Sequence, residues 1–289
     1  MAPDTALDHV SVVVPTIGRL GLLRSCLRSI DRCRPRPGEV IVVDQSRAPG
    51  VERLVAREFA SGFRVVADPI RSIGRAMNTG FAAARNDVVM ATHDDCTVAP
   101  DWVGVASRYM GEHPDAMLTG SVVPEGDPRA VPSTVERPEA ADYSDPGSFE
   151  ELWPMNMAID RRIVADIGGF DERLMPAAED ADICYRWLKA GRPVLYRPDL
   201  RVNHHEWRTP DELRRMYGGY ARGMGLFYGK HLARGDRLVL HFIARDLGYG
   251  LQFAWEAIRW RDRPWWDWRQ GLLTDLPLGL LEGWWRLRP

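Results

Sequence analysis

Residues 88–102 read VVMATHDDCTVAPDW. The run Val88–Ala91 is apolar without alternation, the pattern of a strand buried on both faces. It stops at Asp94 and Asp95, two adjacent carboxylates that repel one another unless something of opposite charge meets them. Pro100 and Asp101 then open a helix over 101–110, since proline suits the first turn. Three earlier segments share the style of the first. Val10–Val14 ends at Pro15, Val40–Val43 ends at Asp44, and Phe63–Ala67 is short and rich in valine. Helical spacing falls between them, at Leu20–Ile30, Val51–Phe59 and Ile73–Ala84. Fully apolar strands alternating with helices predict an α/β fold with a mostly parallel central sheet flanked by helices.

In such sheets ligands bind outside the carboxyl ends of the strands, where strand order reverses. An order of 3-2-1-4 would bring the ends of strands one and four together. The loop 15–19 (PTIGR), the segment 44–46 (DQS) and Asp94-Asp95 would then share one crevice. That crevice has neither G-x-G-x-x-G nor G-x-x-x-x-G-K-[ST]. A diphosphate there needs another counter-charge, and a divalent cation held by carboxylates could supply it. A polar turn capping the next helix explains a lone Asp-Asp equally well.

The bulk numbers bound the function. The chain has 289 residues, 27% charged and 45% hydrophobic, with a formal net charge of -2. No overall field steers it to nucleic acid or to an anionic membrane. Cys26, Cys33, Cys96 and Cys184 form no C-x-x-C pair, which points to reduced thiols. The opening MAPDTALDHV has no basic and apolar leader pattern. No run of about 18 apolar residues suggests a spanning helix. The expectation is a cytoplasmic protein.

Further along, Met117–Val123 predicts a strand. Residues 124–150 are rich in Pro, Glu, Asp and Ser and predict a mobile loop of the kind that closes over ligands. Met155–Ile159 follows, then a helix from Arg161 and another over Glu179–Ala190. Val194–Tyr196 and Arg201–His204 predict two short strands, and from Thr209 the chain is helical. In Glu179-Asp180-Ala181-Asp182, acidic residues suit a helix N-terminus, and Asp182 and Arg186 stand i, i+4 for a surface pair. Neighbouring strand residues face opposite ways, so only one of His204 and His205 can face the crevice.

Taken together, Val12-Val13-Val14-Pro15-Thr16 with Arg19, Val42-Val43-Asp44, Gly74 followed by Asn78-x-Gly80, and Asp94-Asp95 resemble the family 2 glycosyltransferases of the GT-A fold. Asn156-Met157-Ala158-Ile159 with Arg161-Arg162, Gly168-Gly169-Phe170-Asp171-Glu172, and Glu179-Asp180-x-Asp182 with Tyr185-Arg186 match the family's acceptor half. The resemblance covers roughly residues 9–208. It implies a Rossmann-like catalytic domain over 1–208, with a nucleotide-binding half (1–123) and an acceptor half (124–208). A helical extension occupies 209–289.

The resemblance also implies roles. Pro15, Thr16 and Arg19 would wrap the nucleotide base, Asp44 would accept a hydrogen bond from it, and Asp94 would contact the ribose. Gly74 and Asn78 fall on the donor side. Asp95 would bind the cation, Mn2+ or Mg2+, with His204 in its shell, and Cys96 stands where many relatives carry a third aspartate. Asp180 would be the general base, with Glu179, Trp153 and Asn156 on the acceptor side; Trp153 equally suits the core. Arg71 and Arg75 fit either a diphosphate contact or a solvated helix face. The implied enzyme is inverting, with a UDP-, GDP- or dTDP-sugar donor and a glycan or lipid-linked acceptor.

A sugar-phosphate nucleotidyltransferase is the first alternative, but its glycine-rich, lysine-bearing loop is missing. A non-catalytic nucleotide-sugar binder is the second. Within 209–289, Trp255, Trp260, Trp265, Trp266, Trp268, Trp284 and Trp285 stand among arginines. They fit an interfacial helix pair at the inner face of a membrane. They also fit helices packed on the catalytic domain or in a homodimer.

Overall fold

The computed structural model describes residues 7–59, 61–259, 269 and 271–288. Trp260, Trp265, Trp266 and Trp268 lie outside the described residues. Strands β1 (Leu7–Thr16), β2 (Pro37–Asp44), β3 (Phe63–Ala67) and β4 (Val88–Ala91) alternate with helices α1 (Leu20–Asp31), α2 (Gly50–Glu58) and α3 (Ile73–Ala83). There follow β5 (Cys96–Val98), α4 (Trp102–Glu112), β6 (Met117–Glu125), β7 (Ala141–Tyr143), a 3-10 turn (Pro146–Glu151), β8 (Met157–Asp160) and α5 (Arg161–Asp166). The last elements are α6 (Glu179–Lys189), β9 (Val194–His205), α7 (Pro210–Ala233), α8 (Val239–Arg259) and α9 (Asp275–Arg286). None of the described helices is long and apolar enough to cross a membrane.

The chain forms two compact units. One runs to Asp171 and resumes over Ile183–Glu206; the other comprises Glu172–Asp182 and the chain from Trp207. Residues 172–182, read from the sequence as part of the catalytic half, therefore group with the C-terminal helices.

The first unit holds a mixed sheet in the order β3-β2-β1-β4-β8-β6-β9-β5, with β7 paired to β9. The first four strands are parallel in the expected 3-2-1-4 order. Their valines explain why: Val10, Val12, Val13 and Val14 are wholly buried, as are Val42 and Val43. Helix α3 packs closely on this sheet, because a side chain at Gly80 would collide with Val13.

One strand is unforeseen in the sequence, and two expectations need correction. Residues 96–98 form a strand, antiparallel to β9 and over a hundred residues from it in sequence. Pairing with a distant partner gives so short a run its structure, and no local pattern shows it. The two short strands expected at 194–196 and 201–204 are one strand, β9, with an irregularity opposite Gly120/Ser121. Residues 124–150 are also more ordered than their composition suggests. Val135 bridges Val122, β7 joins the sheet, and Val131, Val135 and Phe149 are buried.

In the second unit α7 begins at a full capping box, Thr209 with Glu212, and packs along α9. The contact is glycine-lined on both sides. A side chain at Gly225 or Gly229 would strike the Leu276 or Leu280 carbonyl, and one at Gly279 or Gly283 the Arg222 or Leu226 carbonyl. Both helices thus carry a G-x-x-x-G ridge that lets the backbones meet.

Candidate active site at the carboxyl ends of the strands

The parallel registers bring the expected loops together. Thr16 is aligned with Asp44 across β1 and β2, and Val13 with Ala91 across β1 and β4. Pro15 lies within β1 opposite Val43. The β1 and β2 loops touch: Gly18 has φ +92°, and a Cβ there would fall 2.6 Å from the Ser46 Cβ. Glycine is needed at this corner on both counts.

The repulsion between the aspartates is answered within the chain. Arg19 forms an ion pair with Asp94 Oδ1 and donates from Nε to Asp94 Oδ2 at 3.3 Å. It also reaches Asp95 Oδ2 at 3.1 Å. Thr16 Oγ1 donates to Asp94 Oδ2 at 2.5 Å. Arg19 thus clamps both carboxylates, and Asp94, with no exposed surface and both oxygens engaged, holds Thr16 and Arg19 in place.

The two aspartates are pulled apart in acidity. Burial pushes Asp94 above its ordinary value despite its hydrogen bonds to Arg19 and Thr16. Burial also opposes the charge on Asp95, but His204 and Arg19 outweigh it and hold Asp95 well below the usual carboxylate range. Such divergence between neighbouring carboxyls is a feature of functional sites.

His204 and His205 point opposite ways, as strand geometry demands. His204 is buried, with Nδ1 3.0 Å from the Pro132 carbonyl and Nε2 3.6 Å from Asp95 Oδ2. His205 instead faces Thr97 Oγ1 at 3.1 Å. The Pro132 carbonyl accepts from Nδ1 and so turns Nε2 toward Asp95, the usual orientation of a metal-binding histidine. Cys96 lies directly across the β5–β9 ladder from His204. Asp95, Cys96 and His204 can each offer one ligand atom, all within 4.8 Å of one another. The residues present therefore fit a divalent cation, and Cys96 joins the candidate ligands as a thiol.

Asp44 is mostly buried, and its Oδ1 accepts the Ser46 N–H at 2.8 Å. A cleft opens just past it, lined by Gln45, Ser46, Arg47, Pro69, Ile70 and Arg71. Arg71 is exposed on that cleft, while Arg75 is ion-paired to Asp68 at 2.9 Å. Gly74 is buried in the first turn of α3, behind the Ser72 cap.

Asn78 and Asn156 make contacts within the framework. Asn78 exchanges hydrogen bonds with the Phe170 backbone, both 2.9 Å, and so pins the Gly168-Gly169 turn. Asn156 is fully buried: its Oδ1 accepts from Trp102, and its Nδ2 donates to the Ser121 and Leu200 carbonyls. Trp153 packs partly buried against the core, and its indole N–H has no hydrogen-bond partner among the described residues. The Thr92 hydroxyl, two residues before Asp94, is likewise buried without a partner. Sequence reading passed over Thr92, and no periodicity could have singled it out.

In the second unit, burial, then the neighbouring Asp180 carboxylate, pushes Glu179 up to about 8. Burial raises Asp180 as well, against the Ala181 N–H it accepts at 2.8 Å. Asp182 has partners on α7. It is buried and accepts from Lys230 and His231 of α7. Arg186 donates to the Ile167 and Gly169 carbonyls.

A mixed sheet in this order, with paired aspartates ending the fourth strand, defines the GT-A glycosyltransferase class. The chain belongs to that class's family 2: the model described as "Glycosyl transferase family 2" matches residues 11–167. It is similar to the pre-mycofactocin glycosyltransferase of Mycobacterium tuberculosis, 28% identical over 236 residues, 76% of this chain and 48% of that one. The chain thus spans about half the length of that relative. It is also similar to the N-acetylglucosaminyl-diphospho-decaprenol L-rhamnosyltransferase of M. tuberculosis, 23% identical over 243 residues, 69% and 76% of the two chains. Among solved structures, the mannosyltransferase PcManGT from Pyrobaculum calidifontis, in complex with GDP-Man and Mn2+, aligns with a TM-score of 0.63. Identity there is 16%, covering 96% of this chain and 87% of that one.

Proposed function

We propose that this chain transfers a sugar from a nucleoside-diphosphate donor to an acceptor hydroxyl, with inversion at the anomeric carbon. The observation that carries the reading is the convergence of Thr16, Arg19, Asp44, Asp94 and Asp95 at the carboxyl ends of β1, β2 and β4. Asp44, beside an open cleft, accepts a hydrogen bond from the nucleotide base. Arg19, oriented by Asp94, fixes the Asp95 carboxylate. Asp95 and His204 would hold a divalent cation, Mn2+ or Mg2+, which when bound supplies positive charge to the diphosphate leaving group. The Mn2+ and GDP-Man of the structural relative support this reading.

Inversion in one step needs a base that removes the acceptor's proton as the hydroxyl attacks. We assign that role to Asp180, with Glu179 beside it. Burial raises Asp180, and a carboxylate so raised is a stronger base. The Trp153 indole N–H, without an acceptor among the described residues, is suited to a sugar oxygen. The catalytic domain is assigned to 1–208 and the helical extension to 209–289. The rhamnosyltransferase named for a diphospho-decaprenol substrate supports a lipid-linked or glycan acceptor.

Calorimetric titration with UDP, GDP and dTDP, with and without Mn2+, tests the donor site. The expected result is metal-dependent binding of one nucleotide diphosphate well above the others. Equal, metal-independent and weak binding of all three would overturn the reading. Asp180→Asn is expected to keep donor binding and lose transfer by about 10²-fold or more.

A further inference from the structure

Helices α8 and α9 are apolar on two sides. Their inner faces are buried: Val239, Phe242, Ile243 and Gly250 of α8, and Leu276, Gly279 and Gly283 of α9. Their outer faces are apolar as well. On α8, Leu251, Trp255 and Ile258 stand at i, i+4 and i+7 with 63%, 55% and 85% of their surface exposed. On α9, Leu278, Leu281 and Trp285 stand at i, i+3 and i+7 with 53%, 60% and 68% exposed. An outward stripe of this size on two helices is not the scattered apolar exposure of an ordinary surface.

Charge identifies the occupant. Of the 38 Lys and Arg, 13 fall within residues 209–289, together with 9 of the 40 Asp and Glu. That third of the chain carries a formal +4 and the rest -6, an asymmetry hidden in the net -2. Arginines stand at the aromatic ends of both stripes. The Arg259 guanidinium lies 5.0 Å from the Trp255 ring, and that of Arg288 lies 4.2 Å from the Trp285 ring. Tryptophan with an arginine at its edge suits the boundary between acyl chains and phosphate headgroups, the ring facing apolar matter and the cation facing anions. A symmetric second copy would bring this basic patch against itself.

We infer that α8 and α9 lie in the surface plane of an anionic lipid bilayer, with the Leu251–Ile258 and Leu278–Trp285 stripes in the headgroup boundary. The inference stands apart from the proposed transfer reaction. A lipid-bound chain that binds no nucleotide would refute the reaction and keep the membrane contact, and the reverse result would do the opposite.

The full chain is tested by co-sedimentation with phosphatidylcholine vesicles containing about one-third phosphatidylglycerol. Binding is expected, falling at high salt and with phosphatidylcholine alone. Ile258→Asp with Trp285→Asp is expected to weaken it by about tenfold or more. Arg259→Glu with Arg288→Glu is expected to reduce the salt sensitivity. Brominated acyl chains are expected to quench tryptophan emission of the unaltered chain, a readout independent of any variant's folding. A chain that stays in the supernatant, binding indifferent to the aspartate pair, or a salt-stable dimer without vesicle binding would each overturn the inference.

Discussion

Lys230 Nζ sits 2.5 Å from Asp182 Oδ1, and a His231 ring nitrogen reaches the same oxygen at 2.8 Å. All three side chains are buried. Asp182 is the third acid in four residues at the start of α6, so the α7 cation neutralises the carboxylate that would otherwise add to the charge of Glu179 and Asp180. Removing one member of a buried pair leaves an uncompensated charge, which typically costs about 3–5 kcal/mol. Lys230→Met is therefore expected to destabilise strongly in urea unfolding. Lys230→Met with Asp182→Leu is expected to recover much of that loss.

Glu179 provides a pH test. Burial and the Asp180 carboxylate raise its pKa from 4.5 to about 8 in the folded chain. Below the ordinary value both states hold the proton, and no penalty applies. As pH rises toward the folded value, the unfolded chain releases its proton while the folded chain keeps it, so stability declines across that interval. Glu179→Gln is expected to flatten this decline, measured as unfolding midpoints at a series of pH values. An unchanged slope would contradict the burial of this carboxyl.

The two histidines give a matched pair of variants. His204→Ala removes the ring facing Asp95, and Mn2+-dependent donor binding is expected to weaken by more than the ~10–100-fold typical of outer partners. His205→Ala, facing Thr97, is expected to leave it within about twofold. Chelation should abolish metal-dependent binding in the unaltered chain and change little in His204→Ala. Calorimetry reads all three.

The glycine ridge between α7 and α9 predicts opposite effects for one chemical change. Gly225→Ala or Gly279→Ala places a methyl group into a backbone carbonyl, and overpacking of this kind costs about 1–3 kcal/mol. Gly248→Ala, in α8 with nothing within 4 Å of the added carbon, should stabilise by about 0.5–1 kcal/mol through helix propensity. Thermal melts of the three variants separate the cases.

Strands β1, β2 and β4 are legible because each holds an apolar run buried on both sides, while β3, at the sheet edge, is only partly buried. The alternation at His204 and His205 is legible for the same reason: strand geometry is local. What escapes the sequence is pairing at a distance. Cys96–Val98 becomes a strand only beside Val202–His204. Asp182 also meets Lys230 and His231, 48 and 49 residues away in sequence, which no local pattern shows. Asn78 and Asn156 sit within functional-looking motifs, yet Asn78 binds the Phe170 backbone and Asn156 the Trp102 indole and two carbonyls. The Arg19 clamp was within reach: once β1 and β4 are neighbours, a cation four residues past Pro15 is placed to meet the aspartates ending β4.

Strand β5 follows β4 by only a few residues, yet it occupies the opposite end of the sheet path and pairs with β9. The Asp95–His204 juxtaposition therefore depends on a segment made roughly a hundred residues later. During synthesis, a ribosome-bound chain that has emerged only through α4 carries both aspartates but has no strand to seat Cys96–Val98. The contact order is high at the centre of the site, so β1–β4 can assemble early while the crevice is completed last. Nascent chains arrested before β9 are expected to be cut by protease near residue 96, and those arrested well beyond β9 to be protected there.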